Sequence, residues 1–234
     1  MSSENGNSSY NGGNFEAFLE GWLVRQEHYL DELLEVNRRS DQCQEEDLRE
    51  LVSRIIAHYQ QYYEEKSKLA NVNVFLVFCP TWFSTLERAF LWISGFKPGL
   101  AIRIVKDSVQ DLSEEQSRNI TRLAQETKSQ ERSLNNELAK IHESVAAPPL
   151  LEIARRRATL AEGEMRAEDT AIETLKTALE GIVEAADMLR MSTALKLMEI
   201  LNPAQNVKFL TAAAQLHLRL RNWGVERGEG GGGS

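Results

Sequence analysis

Ile172, Leu175, Leu179, Ile182, Ala186 and Leu189 recur at alternating intervals of three and four residues. That period fits an α-helix with one apolar stripe, and it has the form of a coiled-coil seam. A stripe of this kind has to be buried against a second element. The expected partner is the long helix that precedes it in the chain; a seam between two copies of the chain is the alternative. The preceding helix opens on a capping box, Ser113 with Gln116 three residues on, and runs to about Val145. Ile120, Leu123, Leu134, Leu138 and Ile141 line one side of it, interrupted by Thr127 and Gln130. So polar a middle suits a helix that is partly exposed or paired with another amphipathic helix. Ala146-Ala147-Pro148-Pro149 breaks the two patterns apart, because proline disfavours helix at the residue before it. Arg155-Arg156-Arg157 follows among glutamates and reads as a solvated face.

Between the early and late helices lies a segment of different character, Cys79 to Val105. It concentrates Trp82, Phe83, Phe90, Trp92 and Phe96 in a chain otherwise poor in aromatics. Aromatic side chains bury large areas and dominate core energetics, so this segment is expected to be the hub around which the other helices pack. A helix is expected after Pro80, capped by Thr81 or Ser84, with Leu86, Phe90 and Ile93 at helical spacing and Gly95 and Pro98 as its stop. A second short helix carries Leu100, Ile104 and Val105. The plain reading is a core hairpin; the sharper one is an apolar ligand pocket lined by Trp82, Phe90, Trp92 and Phe96.

The flanking segments complete an all-α plan. A first helix is expected over about Asn14 to Arg39, with Phe15, Phe18, Trp22, Tyr29 and Leu33 on one face and Gln26 interrupting it. A buried Gln26 must find a hydrogen-bond partner or face a ligand or another protein. A second helix runs from about Glu45 to Leu69, and Asn71 to Phe78 reads as an extended connector into the hub. Asn202-Pro203 restarts helix, with asparagine as cap and proline in the first position, and Gly224 is expected to end it. Residues 1–14 have the composition of a disordered tail, and 228–234 that of a flexible glycine-rich tail or linker. The expectation is one helical domain over 15–227: a multi-helix bundle with two long helices and a central aromatic-rich helical hairpin.

Charge and motif content narrow the function. The 234 residues carry a net charge of −8, which opposes general nucleic-acid binding. Cys43 and Cys79 are too few for a disulfide framework, so a reducing compartment is expected. No run approaches the ~20 apolar residues of a membrane span. Neither a glycine-rich phosphate loop nor a cysteine with metal-ligand spacing is present. The residues three before the four histidines are Arg25, Ile55, Ala139 and Ala214, which excludes the Glu-x-x-His pairs of a di-iron bundle. No residue is assigned to catalysis or to a metal. Helix one instead carries bulky residues on more than one stripe, which makes Phe18, Leu19, Trp22 and Leu23 candidates for partner binding.

Three segments in order also carry a family resemblance: Ala89-Phe90-Leu91-Trp92-Ile93-Ser94-Gly95-Phe96-Lys97-Pro98; the opening Phe15, Phe18, Trp22, Gln26, Tyr29-Leu30 and Leu33; and the closing Asp187-Met188-Leu189-Arg190, Leu201-Asn202-Pro203-Ala204-Gln205, Phe209-Leu210, Leu216-His217-Leu218 and Trp223-Gly224. Together they resemble the plant delay-of-germination domain, over about Phe15 to Arg227. The domain stands alone in seed-dormancy regulators and forms the C-terminal half of TGA-type bZIP transcription factors. Without a basic region ahead of the domain, the stand-alone branch fits better. That branch implies a nuclear and cytoplasmic regulator that binds type 2C protein phosphatases of abscisic-acid signalling, with no direct DNA binding. The TGA branch implies a homodimer, an adaptor role in transcriptional regulation and a fatty acyl ligand. Haem binding in the dormancy branch is associated with paired histidines one turn apart in the closing helix. Here His217 stands with Arg221 where the second histidine would be, which leaves His217 as a lone haem ligand and Arg221 as a propionate partner. No cofactor is required by any of these readings.

Overall fold

The computed structural model describes residues 12–39, 43–145 and 162–229, with side chains in the last stretch described over 169–226. The chain forms α1 (Gly12–Arg38), α2 (Glu45–Phe78), α3 (Thr85–Ala89), α4 (Gly99–Ser108), α5 (Glu114–Val145), α6 (Glu162–Ile200) and α7 (Pro203–Glu229). No strand occurs among the described residues; the one isolated β-bridge joins Trp92 to Gly95. No described helix is long and apolar enough to cross a membrane. Most of the two expected tails, the Ala146–Pro149 break and the Arg155-Arg156-Arg157 triplet lie outside the described residues.

Local chemistry sets the starts of these helices. Glu45, Glu46 and Asp47 occupy the first turn of α2, where carboxylates oppose the positive end of the helix dipole. The Ser113–Gln116 box closes as expected: Gln116 N donates to Ser113 Oγ at 3.1 Å, and Ser113 N to Gln116 Oε1 at 3.0 Å. Asn202 and Gln205 repeat the device at the start of α7, at 2.8 and 3.0 Å. The two glutamines then meet, Gln116 Nε2 donating to Gln205 Oε1 at 2.7 Å, so the starts of α5 and α7 are stitched together.

The seam on α6 packs within the chain, against α5. Leu179, Ile182, Ala186 and Leu189 are buried with Leu134, whereas Ile172 at the open end is exposed. Thr127 sits buried opposite Thr193, their hydroxyls 3.4 Å apart, so the polar middle of α5 pairs polar with polar. Gln130 faces solvent, and the buried polar residue one step on is Glu131. It accepts the Gly99 N–H at 2.8 Å and so caps α4 from another helix.

Three expectations are corrected. Asn71 to Phe78 is not an extended connector but the last turns of α2, kinked at Asn73 (φ −153°, ψ 90°), where the Asn73 side chain accepts the Phe75 N–H at 3.1 Å. The hub helix is shorter than its spacing suggests. It is capped by Ser84, in a box closed by Glu87, and ends at Ala89. Gly224 does not end α7; it sits inside the helix, where glycine is ordinarily unfavourable. The reason is proximity: a Cβ there would lie 1.9 Å from Ser84 Oγ and 2.7 Å from Ser84 Cβ. Gly224→Ala is therefore expected to cost about 1–3 kcal/mol, the range for overpacking, despite the better helix propensity of alanine. Chemical denaturation checks this; a stabilised variant would show that α3 yields freely.

Two buried clusters fill the bundle. One gathers Phe15, Leu19, Trp22, the second half of α2, Trp82 and the middle of α6. The other gathers Leu33, the first half of α2, α4, the first half of α5 and the α6–α7 corner.

Candidate functional site

A cavity of about 220 Å³ opens where α2, the α3–α4 hub, α6 and α7 meet. Its wall draws on both core clusters, with Trp22 from the first and Phe209 and Leu210 from the second. Most of the lining is apolar, including Ile56, Phe83, Leu91, Phe96, Ile104, Met191, Met198 and Leu220. The polar minority is Tyr59, Tyr62, Tyr63, Lys66, Glu87, Lys97, Arg190 and His217. An apolar cavity with a few convergent polar groups is the usual form of a small-molecule site.

The hub reaches this wall through a reverse turn. Trp92 N donates to Gly95 O at 2.6 Å and Gly95 N to Trp92 O at 3.2 Å, with Ile93 and Ser94 between them at φ 44° and 55°. Left-handed backbone at a β-branched residue costs free energy and needs support from its surroundings. Arg190 of α6 supplies it: Nε donates to Phe96 O at 2.6 Å, and Nη2 to Ile93 O at 2.8 Å and to Trp92 O. Its Nη1 binds Asp187. A Cβ at position 95 would lie 2.7 Å from the guanidinium carbon, so only glycine leaves room for the clamp.

Asp187 is shared. Lys66 of α2 donates to the same carboxylate oxygen at 2.8 Å, and both cations are buried. Burial pulls the Lys66 ammonium down to about 8, with Asp187 opposing and Arg190 reinforcing that shift. Tyr62 and Tyr63 are raised by the same loss of solvent, and Tyr59 is pushed up to about 12. On the facing wall, burial holds His217 down at about 4, with Glu87 raising it and Arg221 lowering it.

The residues singled out by sequence are placed as follows. Of the expected pocket, Phe96 lines the cavity, while Trp82, Phe90 and Trp92 lie outside its lining. Trp82 is buried against Phe15, ring centroids 4.9 Å apart; Phe90 is 52% exposed at the end of α3; Trp92 is half-buried and donates to Asn135 at 2.7 Å. α3 stops at Ala89, which leaves Phe90 at its C-cap and Trp92 in the turn that follows rather than on a helix that packs against the cavity. Of the expected docking residues, Leu19, Trp22 and Leu23 are buried, and Phe18 is half-buried against the core. α1 is covered by both α2 and α7, so its apolar residues face two neighbours. Gln26 finds its partner inside, donating to Tyr59 Oη at 2.9 Å. His217 lies in the cavity wall, whereas Arg221 is held by Glu87 at 3.3 Å and the Trp82 carbonyl at 3.4 Å. The Lys66–Asp187–Arg190 cluster was missed. Its signal was present: Ile55, Tyr59, Tyr62, Lys66 and Leu69 step by four and three, which sets a lysine on the core face of α2.

A family model described as seed dormancy control (DOG1) matches residues 29–107. The Arabidopsis thaliana protein RESPONSE TO ABA AND SALT 1 is 38% identical over 224 residues, covering 91% of this chain and 96% of that protein. Protein ZW2 of Arabidopsis thaliana is 37% identical over 216 residues, covering 90% and 96% respectively. Transcription factor TGA10 of Arabidopsis thaliana is 29% identical over 220 residues, covering 92% of this chain but 47% of the factor.

Proposed function

Because the chain belongs to the delay-of-germination family, the family of seed dormancy control, we propose that it is a plant regulatory protein that works by binding rather than by catalysis. The observation that carries this is the 38% identity to a protein named for its response to ABA and salt, along 96% of that protein's length. The partner proposed first is a type 2C protein phosphatase of abscisic-acid signalling, met in the nucleus and cytoplasm. A dimerising adaptor for transcriptional regulators is the alternative, favoured by the similarity to TGA10.

With Leu19, Trp22 and Leu23 buried, the docking anchors must come from what remains accessible. Trp223 and Val225 are 49% and 47% exposed near the end of α7. Val225 also lines a shallow groove between α7 and α1, with Leu23, Glu27 and Leu218. A half-exposed tryptophan beside a groove is the kind of residue that dominates an interface. Trp223→Ala is expected to weaken phosphatase binding by about 1–3 kcal/mol and to leave the melting temperature almost unchanged. Calorimetry against a panel of plant type 2C phosphatases is the test; a well-folded protein that binds none of them moves the proposal to the adaptor.

The cavity supports a second reading, a bound apolar ligand. The lining suits a fatty acyl chain better than haem, because Arg221, the expected propionate partner, is not among the residues that line the cavity. Native mass spectrometry of the purified protein is expected to show a co-purified lipid.

A further inference from the structure

The charges in the cavity wall do not balance. Lys97 lies 3.5 Å from Glu131 and Glu87 lies 3.3 Å from Arg221, so each of those is matched by one opposite charge. Lys66 and Arg190 share the single carboxylate of Asp187. The cluster holds two buried cations and one anion, a net charge of one that burial makes costly. Arg190 directs four of its five N–H groups to Asp187 and the carbonyls of Trp92, Ile93 and Phe96. Lys66 has three N–H groups and gives one to Asp187, its hydrogen-bond partner among the described residues. It lines the cavity, as do Tyr62 and Tyr63, whose phenols stay protonated and can donate.

We propose that the cavity takes an apolar ligand with a single anionic head group, a carboxylate or comparable oxyanion, and that Lys66 binds that head with Tyr62 and Tyr63 beside it. The assignment rests on the reading of the cavity as a ligand site and specifies which end of the ligand goes where. The anion supplies the charge the cluster lacks, and the chain lies against the aromatic and aliphatic wall. Recognition is coupled to the proton on Lys66. The groups facing it are Asp187 and Arg190 of α6 and Tyr62 and Tyr63 of α2, and with Lys66 held down at about 8 the ammonium is lost within reach of neutral pH. An arriving anion stabilises the ammonium, so binding is expected to weaken as pH rises through that value.

The test uses two probes of equal length, dodecanoate and dodecanol, titrated into the full chain. Wild type is expected to prefer the acid at least about tenfold near pH 7 and to lose most of that preference near pH 9. Lys66→Met should reduce acid binding by a comparable factor and leave the alcohol unchanged. It leaves Asp187 paired with Arg190, so its buried charges balance and the fold is expected to survive. Tyr63→Phe, which keeps the ring, gives a second readout of the head-group end. Equal binding of acid and alcohol, or a Lys66→Met variant that still prefers the acid, overturns the head-group assignment while leaving the cavity as a ligand site. Failure of both probes to bind folded wild type removes the cavity reading and this proposal with it.

Discussion

Acidification from neutral pH to about pH 4 is expected to remove about 3 kcal/mol of stability for each of two histidines, His58 and His217. Burial holds both imidazoles down at about 4, from an ordinary value of 6.5. A base whose pKa is lowered by folding takes up its proton more readily in the unfolded chain. Stability is therefore complete above about 6.5, falls as pH drops below it, and stops falling near 4, where the folded form also protonates. At about 1.4 kcal/mol per pKa unit, a depression of about 2.5 units gives the figure for each residue. The surroundings agree. His58 Nε2 is buried without a hydrogen-bond partner among the described residues, and its ring is stacked on Trp22 at 4.2 Å. The His217 ring is tilted against the same indole, with ring centroids 5.6 Å apart. Both charges would thus appear beside the tryptophan that holds α1 to the bundle. Denaturation measured between pH 7 and 5, above the range of ordinary carboxylates, isolates the effect. His217→Phe should remove about half of the slope, and a flat profile in wild type would show that both imidazoles are hydrated.

Arg190→Met is expected to destabilise the fold by about 3–5 kcal/mol, the cost of breaking a buried charged network. The substitution keeps most of the volume and leaves Lys66 with Asp187, so charge imbalance is not the cause. What is lost are the donors to the carbonyls of Trp92, Ile93 and Phe96. The Phe96 carbonyl loses its donor, and a buried acceptor left unpaired costs about 1–3 kcal/mol. Trp92 O keeps only the Gly95 N–H and Ile93 O only the Ser94 hydroxyl, and the left-handed Ile93 and Ser94 lose the contact that holds them. Arg190→Lys should be nearly as damaging, since an ammonium cannot reproduce the planar fork. Chemical denaturation gives the magnitude. A loss below about 1 kcal/mol would mean that the turn closes without the clamp.

The elements legible in advance share one property: their cause is local. The stripe from Leu175 to Leu189, the Ser113–Gln116 box and the Asn202–Pro203 start are each encoded within a few residues. The rotation of a helix face and the satisfaction of its first N–H groups need no distant partner, so their spacing alone places the helices. Gln26 was legible in kind, as a buried amide needing a partner, although Tyr59 as that partner was not.

Tertiary contacts decided the rest. Leu86, Phe90 and Ile93 have helical spacing, yet the chain leaves the helix at Ala89, because Arg190, more than ninety positions away, gathers the carbonyls of the turn that follows. Gly224 has the look of a helix stop, and only the approach of Ser84 shows that it is a contact point inside α7. Leu19, Trp22 and Leu23, three and four residues apart, lie on one side of α1, and covering by α2 and α7 together makes core of what the sequence offers as a docking surface. The cavity belongs to the same class. Lys66, Arg190 and His217 come from three helices, and no one of them shows from its neighbours in sequence that it faces a shared space. Periodicity and capping act over a few residues of chain, whereas burial, clamping and charge balance depend on which groups the folded bundle brings within a few ångströms of each other.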